Sequence, residues 1–292
     1  MSLTSRMIRK MFKSGDDKRD EGLTTPHGIL RKNDILYGTD PDWQKMDIYY
    51  PKDAKEECYP VIVSVHGGGW VYGDKERYQF YCMDLALRGF AVVNYTYRLA
   101  PESKYPAQIE DTNLVFEWIV NHAEEYRLDK DHIFAVGDSA GGHMLALYCC
   151  MMNDAEMRKD YSFTIPRELK IQAVGLNCGV YEIKKEDKGL VKSLMKDLLE
   201  HKGSKEELNA ISPMKHINAS FPPAFIMTAS GDFLREQAAP MAEALKELGV
   251  EVIYRCYGDE SNKLPHVFHC NIKSEDARIC NDDEAAFFKG KL

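Results

Sequence analysis

The most constraining feature of this chain is a serine set between glycines where an apolar strand meets an apolar helix. Residues 133–136 (Ile133, Phe134, Ala135, Val136) run straight into Gly137-Asp138-Ser139-Ala140-Gly141-Gly142 and then into a helical stretch over 144–152. A G-x-S-x-G on a tight strand-to-helix turn holds its serine in a strained backbone with the hydroxyl projecting above a sheet, and small neighbours let chain and substrate approach. The helix N-terminus beneath it adds donors for a developing negative charge. The pentapeptide alone also fits a glycine-rich turn without chemistry, so the rest of the chain must decide.

The wider pattern is α/β, a mostly parallel central sheet flanked by helices. Apolar runs at 46–50, 61–65, 91–93, 133–136, 171–176, 224–227 and 250–256 read as strands. Helical stretches at 78–87, 106–122, 144–152 and 236–248 alternate with them. Residues 181–216 break this rhythm. They are charged, offer a helix at about 189–201 and lack a buried strand, which marks an insertion. No repeat or Pro/Gly/Ser-rich linker divides the 292 residues. One domain spanning 1–292 is expected, with segments 1–40 and 181–216 as a small helical cap. The opening Met1-Ser2-Leu3 has the look of an expression scar and carries no weight in this prediction.

Composition removes several function classes. With 44% hydrophobic and 29% charged residues the chain is neither disordered nor collagen-like. A net charge of −8 repels nucleic-acid phosphates and anionic lipid surfaces, so neither nucleic acid nor membrane is an expected partner. Residues 1–22 lack the apolar segment of a secretory signal, which makes the cytoplasm the expected compartment. The eight cysteines include no C-x-x-C pair and read as buried thiols, with Cys149 and Cys150 in a mostly apolar stretch.

Two further segments give the serine chemical company. His66-Gly67-Gly68-Gly69-Trp70 follows the strand 61–65 and so leaves the same sheet edge as Ser139. Glycines permit a turn that points successive N–H groups at an oxyanion, which makes Gly67, Gly68, Gly69 and Ala140 the candidate donors. A phosphate-binding loop is disfavoured because neither Lys-[Ser/Thr] nor a completed G-x-G-x-x-G is present. An acid and a base must then follow the serine in chain order. Asp232, just beyond the strand 224–227, and His266, beyond the strand 250–256, meet that requirement. Glu236 competes for the acid role and His269 for the base. His266 with His269 makes a poor metal pair without nearby ligands, and no metal or cofactor is expected.

These residues resemble the α/β-hydrolase-fold esterases related to hormone-sensitive lipase, over about 45–270. The likeness rests on the His66–Trp70 segment, on Tyr97-Arg98-Leu99-Ala100-Pro101-Glu102 with Tyr105-Pro106-Ala107 and Asp111, and on the Gly137–Gly142 segment. It implies Ser139 as nucleophile, Asp232 as acid, His266 as base, and oxyanion donors from the glycine loop and Ala140. The family's acid usually opens Asp-Pro-Leu-x-Asp. Here Asp232-Phe233-Leu234-Arg235-Glu236 departs from it, while His266-Val267-Phe268 stands where His-Gly-Phe is common and favours His266. Arg98 and Asp111 read as a structural ion pair.

The expected function is hydrolysis of short-chain acyl esters, with Trp70, Tyr72, Phe233 and Val267 as candidate substrate contacts. A kynurenine-formamidase-like amidase, an acetyl-sugar or xylan deacetylase, and a non-catalytic small-molecule binder are the rivals. Nothing in 273–292 specifies an oligomer.

Overall fold

The computed structural model describes residues 1–52, 57–186 and 188–292. Eight strands form one sheet: β1 (Ile29–Leu36), β2 (Lys45–Pro51), β3 (Tyr59–Val65), β4 (Ala91–Tyr95), β5 (Leu128–Asp138), β6 (Ile171–Asn177), β7 (Ala224–Ala229) and β8 (Val252–Tyr257). Their spatial order is β1-β2-β4-β3-β5-β6-β7-β8. β2 pairs antiparallel with β1 and β4, and every later pairing is parallel. The central strands are buried on both faces, which is why they read as continuous apolar runs.

Nine helices are described: α1 (Leu3–Asp20), α2 (Lys75–Ala86), α3 (Ala107–His122), α4 (Ala140–Met152), α5 (Ala155–Arg158), α6 (Leu190–Leu198), α7 (Lys205–Ala210), α8 (Arg235–Glu247) and α9 (Glu275–Lys289). Strand alternation sorts the core. Val61, Val63 and Val65 face one cluster with α3 and α4, whereas Ile62, Phe134 and Val136 face another with α2 and α9. Arg98 and Asp111 form the expected ion pair, with Nη2 to Oδ1 at 2.8 Å, and Gln44 donates to the same carboxylate at 2.7 Å.

Several elements were given no range in the sequence prediction, β1 and α1 among them. β1 precedes the first expected strand and pairs as an exposed edge. α1 begins at a residue set aside as scar: the Ser2 hydroxyl accepts from the Ser5 N–H, and the Ser2 N–H donates to Asp197 of α6 at 2.9 Å. Ser2 therefore belongs to the fold, because the first turn of α1 is capped and tied down through it. The insertion supplies α6, whose expected range of 189–201 contracts to Leu190–Leu198, and α7, closed by a reciprocal Ser204/Glu207 capping box. Among the described residues no helix is long and apolar enough to cross a membrane. All eight cysteines are free and six are buried, Cys149 and Cys150 among them.

Candidate active site

The parallel strands bring the predicted residues to one edge. Ser139 sits between β5 and α4 at φ 51° and ψ −115°, a conformation rarely taken by a residue with a side chain. Its N–H is held by the Asn177 carbonyl at 2.9 Å. The glycines around it are packing requirements. A Cβ on Gly141 would stand 1.9 Å from the Val65 carbonyl oxygen, and one on Gly137 would stand 2.6 Å from that of Gly141. α4 thus approaches the sheet as closely as backbone allows.

Asp232 follows β7, and His266 lies in the loop after β8. His266 Nδ1 lies 2.6 Å from Asp232 Oδ1. The Leu234 N–H donates to the same oxygen at 2.8 Å and the Thr228 hydroxyl to Oδ2 at 2.9 Å. Burial raises the proton affinity of Asp232, but the hydrogen bond and charge of His266, with the Leu234 N–H and the Cys178 thiol, outweigh it and hold the carboxyl below its usual range. With Nδ1 engaged, Nε2 is the ring nitrogen left for the cavity. Ser139 lines that cavity with His266. The two side chains make no hydrogen bond to one another among the described residues, a looseness common in unliganded sites.

Both competitors point elsewhere. Glu236 is exposed and paired with Arg235. His269 is buried edge-on against Tyr81, and burial pushes it down to about 3. The ligand-type atoms of Cys178, Asp232 and His266 lie within 4.8 Å of one another. Two ligands on one tetrahedral zinc would stand roughly 3.3 Å apart. The 2.6 Å contact is a hydrogen bond instead.

The glycine loop is only partly as expected. Gly67 spends its N–H on the Tyr78 hydroxyl (2.9 Å) and on Asp138 Oδ1 (3.1 Å), so it has no donor left for an oxyanion. Gly68 and Gly69, at φ 110° and 62°, and Ala140 have N–H groups with no protein partner among the described residues. Tyr78 also donates to Asp138 Oδ2 at 2.8 Å, so the second residue of the pentapeptide anchors the glycine loop. Burial pushes Asp138 up to about 6, against the hydrogen bond from Tyr78 and the charge of His266. The sequence carried no signal for this Tyr78–Asp138–Gly67 clamp.

A cavity of about 290 Å³ opens over Ser139, bounded by Gly67, Gly68, Tyr72, Phe233, His266 and Val267 and closed by α1 through Met11, Phe12, Asp16 and Arg19. A smaller apolar recess of about 20 Å³ lies across the serine, among Gly69, Trp70, Val180, Leu190, Val191 and Leu194. A larger open groove of about 520 Å³ beside Lys45 and Lys75 holds none of Ser139, Asp232 and His266. Of the predicted substrate contacts, Tyr72, Phe233 and Val267 line the main cavity. Trp70 lines the small one while its indole N–H donates to His143 Nδ1 at 3.3 Å, and His143 Nε2 meets the Ile211 carbonyl at 2.7 Å. Burial pushes His143 down to about 4 and keeps it neutral. Arg19 and Asp16 were not foreseen. Arg19 reaches Asp16 (2.9 Å), Asp20 (2.8 Å) and the Arg77 carbonyl (2.6 Å), and the Tyr72 hydroxyl donates to Asp16 at 2.7 Å.

Comparison with known proteins agrees with this architecture. A family model described as BD-FAE matches residues 46–244. Among curated relatives, the probable carboxylic ester hydrolase LipM of Mycobacterium tuberculosis is 29% identical over 233 residues, 76% of this chain and 53% of that one. Carboxylesterase NlhH of the same organism is 30% identical over 217 residues, 70% of this chain and 66% of that one. The chain thus spans about half the length of LipM. Among solved structures, phosphonate-inhibited esterase B from Lactobacillus rhamnosis superposes with a TM-score of 0.88 at 23% identity, covering 98% of this chain and 93% of that one. The metagenomic carboxylesterase EstE1 gives 0.79 at 22%, over 100% and 99%. At these identities the superpositions establish the α/β-hydrolase fold.

Proposed function

The chain belongs to the BD-FAE family, and from that premise we propose that it is a serine carboxylesterase acting on short-chain acyl esters. The observation that carries this reading is the 2.6 Å His266–Asp232 hydrogen bond on the wall of a cavity shared with Ser139. Ser139 Oγ attacks the ester carbonyl as its proton passes to His266 Nε2, and Asp232 holds the imidazole tautomer and steadies the imidazolium. The N–H groups of Gly68, Gly69 and Ala140 receive the oxyanion. His266 then returns the proton to the departing alcohol, and water, deprotonated by the same imidazole, cleaves the acyl-enzyme. The small recess beside Trp70 takes the acyl chain and its volume favours short ones. The larger cavity under α1 takes the alcohol, with α1 and residues 181–216 acting as the cap. Six buried, reduced thiols fit the cytosol as compartment.

The test is labelling by a fluorophosphonate, followed by turnover of p-nitrophenyl acetate, butyrate and octanoate beside N-formylkynurenine. Labelling lost in Ser139→Ala, with acetate or butyrate turned over best, is expected. A folded wild-type protein that takes no label is a binder and not an enzyme. Faster turnover of N-formylkynurenine would replace the ester reading by the formamidase one.

A further inference from the structure

α1 presents two faces. Inward it buries Ser5 and Ile8 and lays Phe12 against the cavity. Outward it shows Leu3, Met7 and Met11, which are 82%, 52% and 59% exposed and spaced four residues apart, so they form one stripe along the helix. Met11 ends that stripe at the main cavity, where Phe233, 57% exposed, stands on the same wall. An apolar track therefore runs over α1 to the opening above Ser139.

Charge is unevenly placed along the same face. Residues 1–14 hold Arg6, Arg9, Lys10 and Lys13 and no acid, leaving −12 on the rest of the chain. Arg9 is committed to Glu102 and Lys13 to Asp17. Arg6 and Lys10, both exposed beside the stripe, have no acidic partner among the described residues. A net charge of −8 argues against anionic surfaces only when smeared over the whole molecule. Within a Debye length of α1, about 10 Å, Glu102 and Asp17 are matched by Arg9 and Lys13, and Arg6 and Lys10 are the charges on this face left for a surface to meet.

We propose that the outer face of α1 docks the protein on an anionic phospholipid surface, with the mouth of the Ser139 cavity turned toward the lipid. Leu3, Met7 and Met11 enter the headgroup boundary while Arg6 and Lys10 meet lipid phosphates, as in peripheral basic amphipathic helices. The docking itself does not rest on the esterase reading; its use, delivery of esters dissolved in the bilayer, does.

The experiment is co-sedimentation of the full chain with vesicles of phosphatidylcholine and phosphatidylglycerol in equal parts, and with vesicles of phosphatidylcholine alone. Binding to the anionic vesicles that fades with added salt is expected. In the triple variant Leu3→Ser, Met7→Ser, Lys10→Glu, partition should fall about tenfold or more with hydrolysis of soluble p-nitrophenyl acetate unchanged. Leu87→Ser, which removes an exposed leucine at the C-terminal end of α2, should bind as the parent does. The proposal is overturned if the parent stays in solution, or if the triple variant binds equally well. It is also overturned if gel filtration shows a dimer that the triple variant dissociates, which would give the stripe to a second copy. Vesicle binding is read without turnover, so loss of docking and loss of esterase activity are separately visible.

Discussion

The Tyr78 hydroxyl joins two parts of the site that are eleven and sixty residues away from it in sequence, accepting from the Gly67 N–H and donating to Asp138. Both partners are buried, so each bond it makes replaces one that water cannot supply. Removing the hydroxyl leaves Gly67 with only its longer contact to Asp138 Oδ1, at 3.1 Å, and frees the loop that aims Gly68 and Gly69. Tyr78→Phe should lower kcat on p-nitrophenyl acetate about tenfold with KM little changed, because the oxyanion donors matter most in the transition state. It should also lower stability by about 1–3 kcal/mol, read from urea unfolding. A Tyr78→Phe enzyme with parental kcat would reduce the hydroxyl to a structural part. The meeting of Ser139, Asp232 and His266 at one sheet edge was legible because chain order and strand ends restrict where such groups stand. The clamp was not, since nothing local marks a tyrosine on α2 as the partner of the aspartate that ends β5.

At the scale of elements, the proposed reaction gives the acyl side to α6. Leu190, Val191 and Leu194 wall the small recess opposite Trp70. Val191, half-buried, can shrink with less cavity cost than Leu194, which is buried and packed near Gly69. Val191→Ala should shift preference toward longer acyl chains, raising the hexanoate-to-acetate ratio of kcat/KM roughly tenfold, since a methylene in such a pocket is worth about 1–3 kcal/mol. An unchanged ratio would place the acyl chain in the larger cavity under α1. β3, β4, β6, β7 and the 133–136 run of β5 were readable because buried parallel strands are uninterrupted apolar runs, and β8, an edge strand exposed at Arg255 and Cys256, was read from its remaining apolar residues. β1 was not, being an exposed edge with Arg31, Lys32, Asn33 and Asp34 in its middle. Segment 1–40 was expected in the cap, but the range of α1 and its covered face were not readable, for a related reason. Its inner face carries Ser5, Asp16 and Arg19, whose partners Asp197, Tyr72 and Arg77 lie far along the chain, so no local periodicity announces that this face is covered.

Across the whole molecule, buried titratable groups pull stability in opposite directions with pH. Glu284 on α9 ties that helix to Asn177 of β6 (2.8 Å) and Tyr81 of α2 (2.9 Å), and burial pushes it up to about 7. Asp138 is pushed up to about 6. The folded state holds both protons more tightly than the unfolded chain does, so their contribution is complete below about pH 4 and is lost as pH rises through 4 to 7. His66, His143 and His269 behave oppositely. Burial pushes them down to about 4, 4 and 3, so their contribution is complete above the ordinary histidine value and is lost as pH falls below it. Between about pH 5 and 6 the unfolded chain takes up three histidine protons while the folded state keeps nearly two carboxyl protons. From these five groups alone, stability should therefore rise with pH by only about one proton's worth, roughly 1.4 kcal/mol per pH unit. Glu284→Gln removes one of the opposing carboxyls, so its slope in that window should double. Relative to the parent, the variant should gain about 3 kcal/mol between pH 4.5 and 8, the conversion of a shift from 4.5 to about 7. Urea midpoints measured across that range check this. A difference between variant and parent that stays constant with pH would mean that Glu284 is no more reluctant to ionise in the folded protein than in the unfolded chain.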